Sequence, residues 1–314
     1  LSRKADKMYP FLKDKKVKKL AKKETDEIVK NTKGLMIQKV GNVVVNSTDN
    51  IIISKFVSLV SVGLYSNYRL VIYALTMVIN QIYNSLTPGI GNFFIDQDES
   101  RRIELFNKSN FITFWLAYFC SICLIVLFND FIYIYAGKDY LFGLGVVFII
   151  VFNFYITTMR KVIISFREAA GLFYKDRYRT VFEVICNLVV SIALAIKFGV
   201  LGVFIGTVIS YFSLSFWIEV YVLFKDGLKS KVSTYFIDYF KKMFFTLIVG
   251  FILYYLCSFI TGSLLVRFII KCFLCLIIPN LIFILVYRNC TEFNYFKTLF
   301  FEVINKVKRK FIKN

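Results

Sequence analysis

The chain has 314 residues, 58% of them hydrophobic and 18% aromatic, and a formal charge of +20. With a mean hydropathy of +0.64 it has too little polar sequence to cover a soluble globule. Its basic residues lie between long apolar runs, as in membrane-protein loops beside anionic lipid, so no nucleic-acid partner is expected.

The sequence has no histidine, which removes the commonest general base and the commonest transition-metal ligand. Cys120/Cys123 and Cys272/Cys275 have C-x-x-C spacing, but each pair lies inside an apolar run. They read as small polarizable packing residues rather than metal ligands. Neither a metal nor a cofactor is expected.

Residues 1–33 hold twelve Lys/Arg against five Asp/Glu and read as a cytosolic basic connector, partly helical over 15–30. The chain opens on Leu1 with no signal peptide, which leads to the expectation of a piece that begins inside a larger protein. Eight apolar spans follow, at 35–57, 64–90, 110–128, 140–159, 180–197, 200–224, 243–261 and 264–287. Each is long enough to cross about 30 Å of hydrocarbon at 1.5 Å per residue. The connections at 91–109, 160–179 and 225–242 are rich in Lys/Arg, whereas those near 58–63, 129–139, 198–199 and 262–263 hold only Lys138. By the positive-inside rule both termini are expected in the cytosol, with the protein in the cytoplasmic membrane. The expected fold class is an all-α polytopic membrane protein of about eight transmembrane helices. A six-helix lobe at 34–225 and a cytosolic loop at 226–242 precede two additional helices at 243–288 and a basic cytosolic tail at 289–314.

The first span is interrupted by Asn46-Ser47-Thr48-Asp49-Asn50. An ionised Asp near a helix centre costs about 2.5–3.5 kcal/mol on insertion scales, so such residues usually face a wet cavity or a partner. Gln38, Asn42, Asn46 and Asp49 form one stripe along this helix, and Arg69, Tyr73, Thr76, Asn80 and Asn84 form another on the second. Asn153, Thr157 and Arg160 line the fourth, and Glu183, Asn187 and Ser191 the fifth. Such stripes are either interhelical hydrogen-bond seams or walls of a shared hydrated cavity. Gly199, Gly202 and Gly206 put a close-packing face on span six, and Pro88-Gly89 with Gly91 is expected to end or bend span two. Arg267 and Lys271 are expected to snorkel to the interface.

Several stretches carry a family resemblance in their order and spacing. They are Thr48-Asp49-Asn50-Ile51-Ile52-Ile53-Ser54, Val62-Gly63-Leu64-Tyr65-Ser66-Asn67-Tyr68 and Asn153-Phe154-Tyr155-Ile156-Thr157-Thr158-Met159-Arg160-Lys161. Phe166-Arg167-Glu168-Ala169-Ala170-Gly171-Leu172-Phe173, Asp176-Arg177-Tyr178 and the glycine run of span six complete the set. On these the chain resembles the polysaccharide flippases of the multidrug/oligosaccharidyl-lipid/polysaccharide exporter superfamily. The resemblance implies a transporter of two repeated six-helix lobes plus an extra helix pair, which passes lipid-linked sugar units through the cavity between the lobes. The present spans correspond to the second lobe and the extra pair, with the first lobe missing.

The substrate so implied is an undecaprenyl-diphosphate-linked sugar repeat unit, whose anionic head needs cations and hydrogen-bonding groups to cross hydrocarbon. Asn46, Asp49, Asn50, Arg69, Arg160 and Arg167 are the candidate cavity residues, with Arg177 and Arg179 at the cytosolic mouth. Membrane lipids and other polysaccharide-assembly membrane proteins are the further expected partners. The alternatives are a polytopic glycosyltransferase, polymerase or acyltransferase, and a cation-coupled drug exporter of the same superfamily. No catalytic residue is assigned, because the longest outer connection offers only Asp130 and Asp139 as carboxylates.

Overall fold

The computed structural model describes residues 21–172 and 174–298. Those parts of the expected connector and tail that fall in 1–20 and 299–314 lie outside the described residues, as do Phe173 and the side chains of Asn42 and Asn46. Eight long helices run back and forth: α1 (Lys22–Phe56), α2 (Leu59–Asp96), α3 (Glu99–Ala136), α4 (Leu144–Ala169), α5 (Arg177–Phe198), α6 (Val200–Gly227), α7 (Val232–Ser258) and α8 (Leu264–Tyr287). A further short helix begins at 291, and no strand occurs among the described residues. The protein is an all-α polytopic membrane protein. Seven of these helices, α2 to α8, are long and apolar enough to cross a membrane. The first is long enough but too polar, because Lys39 and the Asn46–Asn50 segment dilute its apolar residues.

The helices extend past the apolar spans by several residues, which moves two boundaries. The α1–α2 turn is only Val57-Ser58, with the Ser58 hydroxyl accepting the Ser61 amide at 3.0 Å as an N-cap. Pro88 does not end α2, which continues to Asp96. Proline is tolerated inside membrane helices, and beside it Thr87 donates to the Tyr83 carbonyl at 2.8 Å. Thr87 also meets Ser165 of α4 at 2.5 Å, fixing α2 to α4 at that level.

Polar side chains and small residues bring the elements together. Gly199 takes φ 60° in the one-residue reversal between α5 and α6, a left-handed conformation that favours glycine. A Cβ at Gly202 would sit 2.1 Å from the Leu194 carbonyl oxygen, so the two backbones touch there. On the other side α4 packs against α2, α3 and α6, while α7 and α8 lean on α3. Tyr118 of α3 donates to the Pro279 carbonyl of α8 at 2.9 Å, and Trp115 to Asn280 at 3.1 Å. At the far end of the bundle Tyr68 of α2 is fully buried, donates to Asn129 of α3 at 2.7 Å and accepts the Phe142 amide at 2.9 Å. The Lys/Arg-rich turns all lie at one end of the bundle, the basic end.

Candidate functional site

Two polar layers stand inside the bundle. The first is a charge network toward the basic end, built from α4, the turn after it, α5 and α6. Arg160 holds Glu183 by two hydrogen bonds at 3.0 and 3.1 Å and Glu219 by two at 2.8 Å. Arg179 donates to Asp176, Glu183 and Glu219, each at 2.8 Å, and to the Ser215 hydroxyl at 2.6 Å. Arg167 pairs with Asp176 and reaches Glu219 at 3.4 Å. Three guanidinium groups thus meet three carboxylates, and the network is formally neutral. Buried charges persist only when paired and hydrogen-bonded in this way.

The backbone supports that arrangement. α6 widens into a π turn at Tyr211–Ser215, a local irregularity that re-aims side chains. It places the Tyr211 ring 5.0 Å from the Arg160 guanidinium and the Ser215 hydroxyl on Arg179. Gln38 of α1 donates to Asp176 at 3.3 Å, which ties α1 to the same cluster.

The second layer lies deeper. From the Val57-Ser58 turn, Asp49 is about 10 Å along α1 and Arg69 about 15 Å along α2 at 1.5 Å per residue. Asp49 is half-buried, and its carboxylate faces Thr207 of α6 and feels the Arg69 charge. One carboxylate oxygen, Oδ1, is buried with no hydrogen-bond partner among the described residues. Thr207 accepts from Asn187 of α5 at 3.1 Å, and Asn187 also reaches Ser210 at 3.4 Å. A column of polar groups therefore leads from Asp49 along α5 and α6 to Tyr211 and Arg160.

Arg69 itself is exposed, as are Ser66, Tyr73, Gln81, Asn84 and Ser85 on the same helix. Only 11% of the apolar window of α2 is buried, against 56% for α3 and for α4, so no described helix covers this face. Asn50 is half-buried.

Of the candidate residues read from the sequence, Asp49 lies within electrostatic reach of Arg69, while Arg160 and Arg167 share Glu219 in the neutral network. The stripes on α4 and α5 close on one another and on α6 as a seam: Asn153 donates to Phe204 O at 3.1 Å and Ser191 to Val203 O at 3.1 Å. Glu219 was missed by sequence reasoning, although a carboxylate inside Phe216-Trp217-Ile218-Glu219-Val220 is a visible signal.

Fold and layers together define a multi-pass helical membrane protein with a charged centre and an uncovered face on α2, where Arg69 stands among apolar side chains such as Leu70, Met77 and Val78. Compared with protein families, curated proteins and solved structures, the chain gives no match.

Proposed function

We propose that the protein is a flippase component that moves undecaprenyl-diphosphate-linked sugar repeat units across the cytoplasmic membrane for cell-surface polysaccharide synthesis. One observation carries this reading: Arg69 stands exposed at mid-membrane depth, within electrostatic reach of the half-buried Asp49, on a face of α2 that no described helix covers. A lipid-facing arginine at that depth is costly, so such a residue belongs in a hydrated cavity. A diphosphate passing through would meet a planar donor fork suited to its oxygens. Asp49 competes with it for the guanidinium and so permits release. Arg160 and Arg167, already neutralised by carboxylates, act by holding α4, α5 and α6 together around that cavity. A second six-helix body facing α1 and α2 would complete the passage.

The test is made in the source cell, at the gene that encodes the chain. With Arg69→Gln or Asp49→Asn, protein abundance is expected to stay at the wild-type level while lipid-diphosphate sugar accumulates in the inner leaflet and surface polysaccharide falls. Normal surface polysaccharide in both variants would remove the site from transport. Loss of resistance to cationic dyes with intact polysaccharide would favour a drug exporter.

A further inference from the structure

Away from the basic end, three charges gather at one depth between α3 and α8. Asp130 accepts from Lys271 Nζ at 2.6 Å and from Arg267 Nη2 at 3.3 Å. All three lie about 5–10 Å inside their helix ends at 1.5 Å per residue, the level where headgroups give way to hydrocarbon. The sequence alone makes Arg267 and Lys271 independent snorkelling cations; the structure joins them on one carboxylate.

The cluster has one positive charge to spare. Lys271 and Asp130 are 12% and 13% exposed and pair at short range, so they balance each other. Arg267 is 33% exposed and its hydrogen bond to Asp130 is long. Its Nε is buried and has no hydrogen-bond partner among the described residues. A guanidinium presents five N–H donors in a rigid plane, and most of these remain unfilled. Hydrophobic side chains flank the site: Leu265, Val266, Ile269 and Ile270 are exposed on α8, and Phe131 of α3 is partly exposed beside Phe268. Lys55, Lys138 and Lys197 at this end of the bundle are exposed, whereas Arg267 is shielded beside Asp130, so it is no ordinary loop anchor.

We propose that Arg267, oriented by Asp130, binds the phosphate of an anionic phospholipid in the leaflet opposite the basic loops, with the acyl chains lying along α8. The planar fork meets two phosphate oxygens, and Lys271 adds a second cation at the rim. The site is built on α3 and α8 and does not depend on what the protein transports.

The experiment uses the full chain purified in dodecyl maltoside, with thermal unfolding followed against added dioleoylphosphatidylglycerol. The wild-type protein should show a saturable rise in Tm. Arg267→Gln should raise the half-saturating lipid concentration about tenfold, the scale of a lost charge-assisted hydrogen bond. Arg288→Gln, which removes the same charge beyond the other end of α8, should leave it unchanged. Should Arg267→Gln fail to accumulate, Arg267→Lys takes its place, with a several-fold weakening expected because the charge remains and the fork is lost. A titration with inorganic phosphate separates the two phosphate sources. Saturation by inorganic phosphate at equal concentration would overturn the lipid assignment in favour of a free-anion site. No saturable rise in the wild type, or equal half-saturation in wild type and Arg267 variant, would overturn the proposal outright.

Discussion

Glu219 is the point at which Arg160, Arg167 and Arg179 converge, and it is 1% exposed. Its replacement by glutamine would leave three buried guanidinium groups with two carboxylates. Breaking a buried pair in this way costs about 3–5 kcal/mol, because the orphaned charge keeps its desolvation penalty. We predict that Glu219→Gln accumulates poorly in the membrane and unfolds earlier in detergent, whereas Arg69→Gln, whose side chain is exposed, accumulates normally. Wild-type Tm for Glu219→Gln would mean that water already solvates the network. Asp49 and Arg69 were legible in the sequence because a charge in an apolar run stands out. Partners were not: Arg160 finds its carboxylates 23 and 59 residues further along the chain, distances that no local pattern encodes. For the same reason a stripe that could line a cavity, such as Glu183, Asn187 and Ser191, cannot be told from a seam until its neighbours are placed.

Helix pairing follows from what each face lacks. α5 and α6 approach closely because Gly202 and Gly206 have no side chain to hold them apart; a Cβ at Gly206 would lie 2.6 Å from the Ser191 Cα. Small residues at such crossings are how membrane helices gain van der Waals contact without a hydrophobic driving force. Gly202→Ala must displace the Leu194 backbone and is expected to cost about 1–3 kcal/mol, the usual scale of overpacking. Gly91→Ala, where nothing stands within 4 Å, should instead be neutral or gain up to about 1 kcal/mol from helix propensity. Paired thermal melts of the two variants in detergent decide the matter, and equal Tm values would deny the close crossing. The existence of α2 to α8 was readable, since runs of about twenty apolar residues admit little else, whereas α1 is too polar to count as a span by composition and the helix from 291 lies in the expected tail. The ends were not, because α2 and α3 carry polar residues well past their apolar spans and stay helical through Asp96 and from Glu99. Pro88 shows the same limit: α2 runs through it to Asp96, and the Thr87–Ser165 contact beside it forms only in the packed structure.

The whole bundle has a polarity that its sequence states plainly. Every turn at one end is bracketed by Lys or Arg: Arg101 and Arg102 after α2, Lys175 and Arg177 before α5, Lys225, Lys229 and Lys231 before α7. Counted the same way, with the flanking helix ends included, the other end has Lys55, Lys138, Lys197 and Arg267, one to each turn. Because cationic loops are retained on the cytosolic side during insertion, we predict from this asymmetry that the basic end faces the cytosol. In that orientation the Arg160 network would sit toward the cytosol, Arg69 near mid-membrane, and the Arg267 cluster in the outer leaflet. The prediction is tested with single cysteines in a background where the seven native ones are replaced. Cysteine at the exposed Ser100, or at the half-buried Ser230 in the α6–α7 turn, should resist an impermeant maleimide in intact cells and react once the cells are permeabilised. Cysteine at Ser263, exposed in the turn before α8, should react at once. The reverse labelling pattern would invert the bundle and put the Arg267 site against cytosolic lipid, where anionic headgroups are most abundant. Arg69 would stay near mid-membrane in either orientation, because its depth is set by α2 and not by which end faces the cell interior.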